Sequence, residues 1–499
     1  MENMSTPQIT SPPPVYPPQP PVQPVCKREF TMLDAVISLI CFVLGLMFTH
    51  FVCEYAGGLW GGIMWLLFGI TGAVFVKTKN IPVNRMQIIT FGIAVFFCFT
   101  PLFCANIFIN VLASLFTILL YMYLGITLSG AEPFGENFVY DLLKSVLLQP
   151  FSCIGDAPKA AGNLLKNKKA GKNVGLAIAG IFLALPVTIF VLALLSMSDD
   201  SFGDLMENIF IRNMPDFEFR YILEFCFAFI VWMYLFGALS SAAEPVTPGC
   251  SDKSRLRFIP GALGYPAVTP VCIFYVIYIE MQFRYFTAAF TGVLPEGFSY
   301  SEYARQGFFE LCTVAVINLF IIMVLQCFMK RGENDSKTTT LKVYTTAISV
   351  FTLFLIASAI SKMALYINEM GMTPLRIYTS WFMILLAIVF VLIIISQFVS
   401  IKFWKTAFTA FVLMMGILCF GNIDGMIADY NVTAYETGKL ETVDFDVLEE
   451  LGAPALKHIE RLLDASDRWT CQEARRAILQ IENYKTKYDG FAYFSFPAM

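Results

Sequence analysis

Residues 377–401 read IYTSWFMILLAIVFVLIIISQFVSI, a run of 25 residues without a single Asp, Glu, Lys or Arg. An α-helix rises about 1.5 Å per residue and the hydrocarbon core of a bilayer is roughly 30 Å thick, so this run is long enough to cross a membrane. The whole chain has the same character, since 57% of its 499 residues are hydrophobic and 14% are charged. Soluble domains carry about 25% charged residues. The sequence therefore predicts an all-α, multi-pass membrane protein.

Eleven apolar runs are predicted to span the membrane. They cover residues 33–52, 58–76, 86–104, 106–128, 174–197, 221–243, 261–283, 307–329, 343–366, 377–401 and 403–421. Pro101 weakens the third run, and Pro266 and Pro270 weaken the seventh, although proline is tolerated in membrane helices whose neighbours satisfy the carbonyls.

The basic residues predict the orientation of these spans. If the N-terminus is cytoplasmic, the inner segments hold 20 of the 34 Lys and Arg, and the short outer segments hold six. This asymmetry follows the positive-inside rule, and an odd number of spans then places the C-terminal tail outside. We expect a multi-pass protein of the bacterial plasma membrane with a cytoplasmic N-terminus and an extracytoplasmic C-terminus.

The chain divides into five predicted segments. They are a disordered, Pro-rich, cytoplasmic N-terminus (1–31), a first four-helix membrane segment (32–128), a cytoplasmic loop (129–173), a second membrane segment (174–421) and an extracytoplasmic helical tail (422–499). Within the loop, residues 137–153 have the spacing of an amphipathic helix that lies in the membrane interface. In the tail, Pro454 is predicted in the first turn of a helix over residues 455–463. The stretch from Thr470 to Glu473 predicts a capping box with Thr470 as its N-cap.

Several function classes are excluded or disfavoured by what the chain contains. Two histidines cannot build a His-rich site, and the 13 cysteines form no C-x-x-C motif. The net charge of −4 argues against a nucleic-acid partner. No nucleotide-binding or common hydrolase motif occurs. We therefore predict no metal site and no cofactor and assign no catalytic residue, and we favour a non-enzymatic activity, although membrane transferases, whose motifs are sparse, stay open.

Ionisable and amide residues gather near the predicted outer ends of the later spans. Because Glu302 and Glu310 lie eight residues apart, they share one helix face, and charged groups in spans commonly face a partner or a wet cavity. The candidate outer polar cluster consists of Glu302, Arg305, Glu310, Asn318, Lys362 and Arg376. Two interpretations stay open here, because the same residues suit an outward-facing pocket or simple anchoring in the interface.

Further candidates flank other spans. Arg220 with Glu224, and Glu280 with Arg284, have the four-residue spacing of helical ion pairs. The acidic pair Asp199 and Asp200 lies just outside the fifth predicted span, where it suits a solvated loop or, in a membrane transferase, activation of an acceptor.

Three stretches resemble a bacterial membrane family known as domain of unknown function 4153, which has domain of unknown function 4173 as a close relative. They are YSEYARQGFFEL at 300–311, SKMALY at 361–366 with GMTPLR at 371–376, and NID at 422–424 with ADYN at 428–431. The last stretch adds Asn422, Asp424 and Asn431 to the candidate residues. The resemblance covers roughly residues 170–460, and the family usually has Arg where Lys362 stands. It implies a bacterial inner-membrane protein without an assigned reaction.

Three functions remain open from the sequence. The first is a non-enzymatic scaffold or sensor-accessory protein of the cell envelope, whose outer polar rim contacts the bilayer together with an envelope protein, a peptide or an anionic head group. The second is a transporter of a small or anionic solute, in which the outer polar cluster lines the path. The third is a lipid-linked transferase that uses Asp199 or Asp200.

Overall fold

A computed structural model describes residues 30–52, 58–162, 219–244, 257–291, 308–330 and 338–487, together with single positions between 184 and 205. Within these ranges the chain is helical and forms no strand. Ten of the described helical segments are long and apolar enough to cross a membrane. They correspond to ten of the eleven predicted spans. The remaining predicted span, 174–197, lies outside the described residues except for single positions, as does the N-terminal segment 1–29.

The described helices divide into those of the membrane bundle and those outside it. The membrane helices are α1 (Met32–Met47), α2 (Leu59–Thr78), α3 (Arg85–Phe97), α4 (Ile107–Leu128), α6 (Phe219–Ala242), α7 (Gly261–Thr291), α8 (Phe308–Phe328), α9 (Thr339–Met370), α10 (Pro374–Phe398) and α11 (Phe403–Phe420). Outside them lie α5 (Phe138–Leu147), α12 (Ile423–Glu436), α13 (Phe445–Leu451), α14 (Ala453–Ile459) and α15 (Arg468–Lys487).

Two apolar cores hold the membrane helices together. The first joins α1 to α4 with α6 and α11, and the second joins α7 to α10. Helices α1 and α6 approach so closely that a Cβ atom on Gly45 would lie 2.6 Å from the carbonyl oxygen of Ala228. Small residues allow this approach between membrane helices. The indole nitrogen of Trp381 on α10 donates to the Met414 carbonyl on α11 at 2.8 Å, which links the two cores.

One end of the bundle carries the residue 129–162 loop, and we call it the loop end. Helix α5 lies within the predicted interfacial helix, 137–153, and exposes the apolar side chains of Tyr140, Leu143 and Leu147. Buried hydrogen bonds tie the loop to the spans. Ser240 on α6 donates to Asp156 at 2.9 Å, and Ser38 on α1 donates to the Ala157 carbonyl at 3.0 Å.

The opposite end carries residues 422–487, and we call it the tail end. Helices α12 to α15 enclose their own small apolar core. Pro454 lies in the first turn of α14, as predicted. The predicted cap at Thr470 is wrong, because α15 begins at Arg468 and the Asp467 carboxylate accepts from the Thr470 N–H at 3.0 Å. An aspartate three residues upstream can satisfy the same N–H groups, and the Thr470 hydroxyl donates to it instead of capping.

The three prolines in the spans behave differently. Helix α3 ends at Phe97, and Pro101 begins a separate short turn, Thr100–Phe103. Helix α7 instead continues through Pro266 and Pro270, each of which removes one backbone hydrogen bond without breaking the helix.

The described residues on either side of the 163–218 stretch lie at opposite ends of the bundle. Asp156 packs at the loop end, whereas Glu224 near the start of α6 lies 3.0 Å from His50 at the end of α1. The predicted fifth span, 174–197, falls between these two positions in the sequence.

Candidate functional site at the tail junction

The first helix of the tail is fastened to the loop between α9 and α10. Asn431 on α12 makes two hydrogen bonds to the backbone of Met372, because its Oδ1 accepts from the Met372 N–H at 2.6 Å and its Nδ2 donates to the Met372 carbonyl at 2.8 Å. Asn431 is 4% exposed. A primary amide can accept from a backbone N–H and donate to a backbone carbonyl at the same time. The two bonds therefore fix the orientation of α12 relative to the loop as well as the distance between them.

The backbone at Gly371 makes this contact possible. Gly371 has φ +75° and ψ −179°, a conformation that is essentially restricted to glycine. A Cβ atom there would lie 2.7 Å from the Asn431 Oδ1 atom. The loop therefore needs glycine both for its conformation and for space.

Arg376 closes the end of α9. Its guanidinium donates to the Met370 carbonyl at 2.9 Å and also to the Gly371 carbonyl. The same group lies 4.1 Å above the ring of Tyr366, which is the geometry of a cation–π contact. Since the last carbonyls of a helix have no intrahelical donors, Arg376 acts as a C-terminal cap of α9.

Asp424 lies buried where α12 begins. Asn422 precedes it in the left-handed conformation, and its Oδ1 caps α12 by accepting from the Gly425 N–H at 3.3 Å. The pKa of Asp424 is raised to about 6, because burial raises it more than a hydrogen bond from Asn106 lowers it and the nearby Glu450 carboxylate adds to the rise. The Asp424 Oδ1 atom has no hydrogen-bond partner among the described residues. Asp424 is therefore a carboxyl group that changes its charge near neutral pH.

A groove of about 490 Å³ runs between α12 and the start of α10. Its floor and walls combine methionine, tyrosine and threonine side chains. They are Met372, Ile377, Ile423, Met426, Ile427, Asp429, Tyr430, Thr433, Ala434, Thr437 and Lys439. Met426 is 62% exposed at its rim. Asp429 is engaged within the tail, since Arg461 donates to it at 2.9 Å and His458 lies 3.2 Å away.

The candidate outer polar cluster is divided by the fold. The Glu310 carboxylate on α8 acts electrostatically on Lys362 of α9, which is 9% exposed. Asn318 lies deeper on α8, where it accepts from the Tyr275 hydroxyl at 2.5 Å and donates to Thr352 at 2.9 Å. Arg376 belongs to the tail junction. Glu302 and Arg305 lie outside the described residues.

The secondary candidates are also separate from one another. Glu224 pairs with His50 across the first core, a contact that sequence spacing did not indicate. Glu280 is exposed on α7. The structure does not describe the side chains of Arg220 and Arg284 or any part of Asp200. Asp199 accepts from the N–H groups of Ser201 and Phe202 at 2.8 and 3.2 Å, as a turn-capping residue does.

These contacts join the stretches that carry the family resemblance. The GMTPLR stretch supplies Gly371, Met372 and Arg376, and the NID and ADYN stretches supply Asp424 and Asn431. The profile of the family described as domain of unknown function (DUF4153) matches residues 91–462, well over half of the chain. The chain belongs to the DUF4153 family. The DUF4153 match begins well before residue 170 and so includes the second half of α3 and the whole of α4, whose N-cap residue Asn106 hydrogen-bonds to Asp424. No curated protein and no solved structure is significantly similar to the chain.

The sequence did not predict which residues surround Asp424, because they come from earlier parts of the chain. Asn106 and Tyr378 contribute to the surroundings of Asp424, and the Tyr378 ring stacks on Phe108 with 4.9 Å between centroids. The only local signal was Asn106 itself, a polar residue between two apolar runs, where it caps α4.

Proposed function

We propose that this DUF4153 member is a non-enzymatic scaffold or sensor-accessory protein of the bacterial cell envelope, with its loop end in the cytoplasm and its tail on the outer face of the plasma membrane. Basic residues support this orientation, because many lie at the loop end of the described spans. They are Lys77, Lys79, Arg85, Lys144, Lys159, Arg257, Lys330, Lys342, Lys402 and Lys405. The positive-inside rule assigns such an end to the cytoplasm.

The groove beside α12 carries the proposal. It lies at the tail end and combines flexible methionines with Tyr430. Methionine and tyrosine are enriched in protein interfaces, and methionine adapts its shape to irregular partners. We therefore propose that a polypeptide segment of an envelope protein binds here, in preference to a lipid or a solute.

The tail junction gives the groove its fixed shape. One wall belongs to the tail helix α12 and the other to Met372 and Ile377 of the membrane domain, and Asn431 holds the two walls together. A partner that binds across both walls would sense the position of the tail relative to the spans. This coupling is the physical basis for a sensor-accessory role.

Photo-crosslinking in cells tests the proposal. A benzoyl-phenylalanine at Met426 is expected to crosslink to one discrete envelope protein, whereas the same group at Leu479 is not. Leu479 is a matched control because it is 59% exposed on α15 and does not line the groove. The purified partner segment should then bind the full chain in nanodiscs, and Met426→Glu should weaken this binding at least tenfold while Leu479→Glu leaves it unchanged. Lipid adducts alone, or the same adducts at both positions, would contradict the proposal.

A transporter is the second candidate, and one feature of the second core favours it. Tyr275, Asn318 and Thr352 form a line of polar groups from three spans, and the buried hydroxyls of Thr345 and Thr346 have no hydrogen-bond partner among the described residues. Polar groups inside a bundle can mark a substrate path. The scaffold takes precedence because Asn318 is fully buried and engaged on both sides of its amide.

A further inference from the structure

A second cavity lies at the other end of the molecule, within the first core. It has a volume of about 360 Å³ and is enclosed by α2, α3, α4 and α6, with the loop helices beneath it. Its walls are almost entirely carbon, and they include Phe68, Phe91, Met122 and Leu239. Membrane helices usually pack more closely than this.

The cavity opens sideways between the spans. Ile88 on α3 lines it and is 60% exposed, and Val83 before α3 lines it and is 46% exposed. Exposed apolar side chains on a membrane helix face lipid, so the mouth of the cavity is directed toward the bilayer. Ligands from the hydrocarbon phase can therefore enter without crossing water.

The polar groups of the cavity lie together at its loop end. Gln149 donates to the Ser129 hydroxyl at 3.0 Å, and its Oε1 atom is buried without a hydrogen-bond partner among the described residues. Ser145 and Ser241 line the same end. Lys77 also lines the cavity and is exposed at its mouth. The cavity thus has an apolar depth, buried polar groups at its loop end and one cation at its mouth.

We infer that this cavity binds one acyl chain of an anionic phospholipid, with its phosphate at Lys77 and its glycerol region near Gln149. Its volume is at the lower end of ordinary ligand pockets, which suits one chain and excludes a whole lipid. An acyl chain gains little from leaving other lipid tails, so the charged mouth has to supply the preference. The positive charge of Lys77 favours anionic lipids, because basic groups near the cytoplasmic surface attract anionic head groups. The inference rests on the proposed orientation of the chain but not on the proposed partner, since the cavity and the groove lie at opposite ends.

Two glycines offer a matched pair for the experiment. Gly72 lines the cavity. A Cβ atom there would lie 3.5 Å from the Leu239 side chain, which is an ordinary van der Waals contact. A larger side chain at this position would extend into the cavity. Gly92 lies on the neighbouring span, and a Cβ atom there would have no neighbour within 4 Å. Gly72→Leu should therefore fill the cavity, and Gly92→Leu should extend into the surrounding lipid.

The test is native mass spectrometry of the full chain, released from nanodiscs of equal phosphatidylglycerol and phosphatidylcholine. One phosphatidylglycerol should stay bound to the wild-type protein and to Gly92→Leu, and Gly72→Leu should lose at least 80% of this bound species. Lys77→Gln should remove the preference for phosphatidylglycerol, whereas Lys405→Gln at the same end should keep it. Equal retention by the two glycine variants, or equal retention of both lipids by the wild type, would overturn the inference. If Gly72→Leu does not fold, the smaller Gly72→Val replaces it, with an expected loss of about half.

Discussion

The side-chain amide of Asn431 holds both the N–H and the carbonyl of Met372, at 2.6 and 2.8 Å, and so joins the tail to the membrane domain. The two residues are 59 positions apart in the chain. Met372 and Asn431 both lie in stretches that resemble the DUF4153 family. The stretches that resemble the family therefore contain residues that hold the tail in place. This structural role does not depend on any reaction.

Replacing Asn431 should loosen the tail. Asn431→Ala leaves the half-buried N–H and carbonyl of Met372 without their partners, which costs roughly 1–3 kcal/mol. Amide hydrogen exchange in α12 should accelerate accordingly. Asn368→Ala is the matched control, because this exposed asparagine accepts only one hydrogen bond across the junction, at 3.3 Å from the Tyr430 hydroxyl. Equal acceleration in both variants would show that Asn431 has no special role.

Gly371→Ala should disturb the same junction through two separable effects. The substitution strains a backbone at φ +75° by about 1–3 kcal/mol and places a Cβ atom 2.7 Å from the Asn431 Oδ1 atom. In the Asn431→Ala background the second effect disappears. The double variant should therefore be more stable than the sum of the single effects predicts, as measured by thermal unfolding. Strict additivity would contradict the contact.

The stability of the tail should depend on pH through Asp424. Its pKa is about 6 in the folded protein and 3.8 in an unstructured chain, so the folded state binds more protons between these values. Stability should therefore fall as pH rises from about 4 to 6 and stay lower above that range. Asp424→Asn should remove this loss, which is at most roughly 3 kcal/mol for a shift of this size.

Thermal unfolding at pH 4.5 and pH 7.5 measures this effect. Burial also raises the pKa of Asp141 on α5 to about 6, which adds to the same slope. Asp424→Asn should therefore flatten the pH dependence in part, and addition of Asp141→Asn should flatten it further. An unchanged slope in Asp424→Asn would show that its carboxyl is ionised in the folded protein at both pH values.

Thiol labelling separates the scaffold from the transporter. In a background without the native cysteines, Thr352→Cys should resist a membrane-impermeant maleimide, because Thr352 is 0% exposed and its hydroxyl binds Asn318. Lys439→Cys, which lies exposed on the tail, should react under the same conditions. Fast labelling at Thr352→Cys would indicate a water-filled path through the second core and would favour a transporter.

The sequence predicted the spans well because crossing a bilayer requires a long apolar run, a signal that is local. It also pointed to Arg376, Asp424 and Asn431. Their contacts were not predictable, since a hydrogen bond between residues 372 and 431 depends on how two helices meet. The candidate outer polar cluster shows the same limit. The cluster groups Asn318 with Glu310, but Asn318 packs inside the second core with Tyr275 and Thr352.

We propose that the groove binds an envelope protein only while Asn431 holds its two walls together. The most direct measurement is the crosslink yield from benzoyl-phenylalanine at Met426 in living cells, compared between the wild-type chain and Asn431→Ala at equal protein levels. We expect one discrete protein adduct in the wild type and at least a fivefold lower yield in Asn431→Ala, with Asn368→Ala unchanged. The claim would be contradicted by a wild-type position that yields only lipid adducts, or by a protein adduct that Asn431→Ala leaves undiminished.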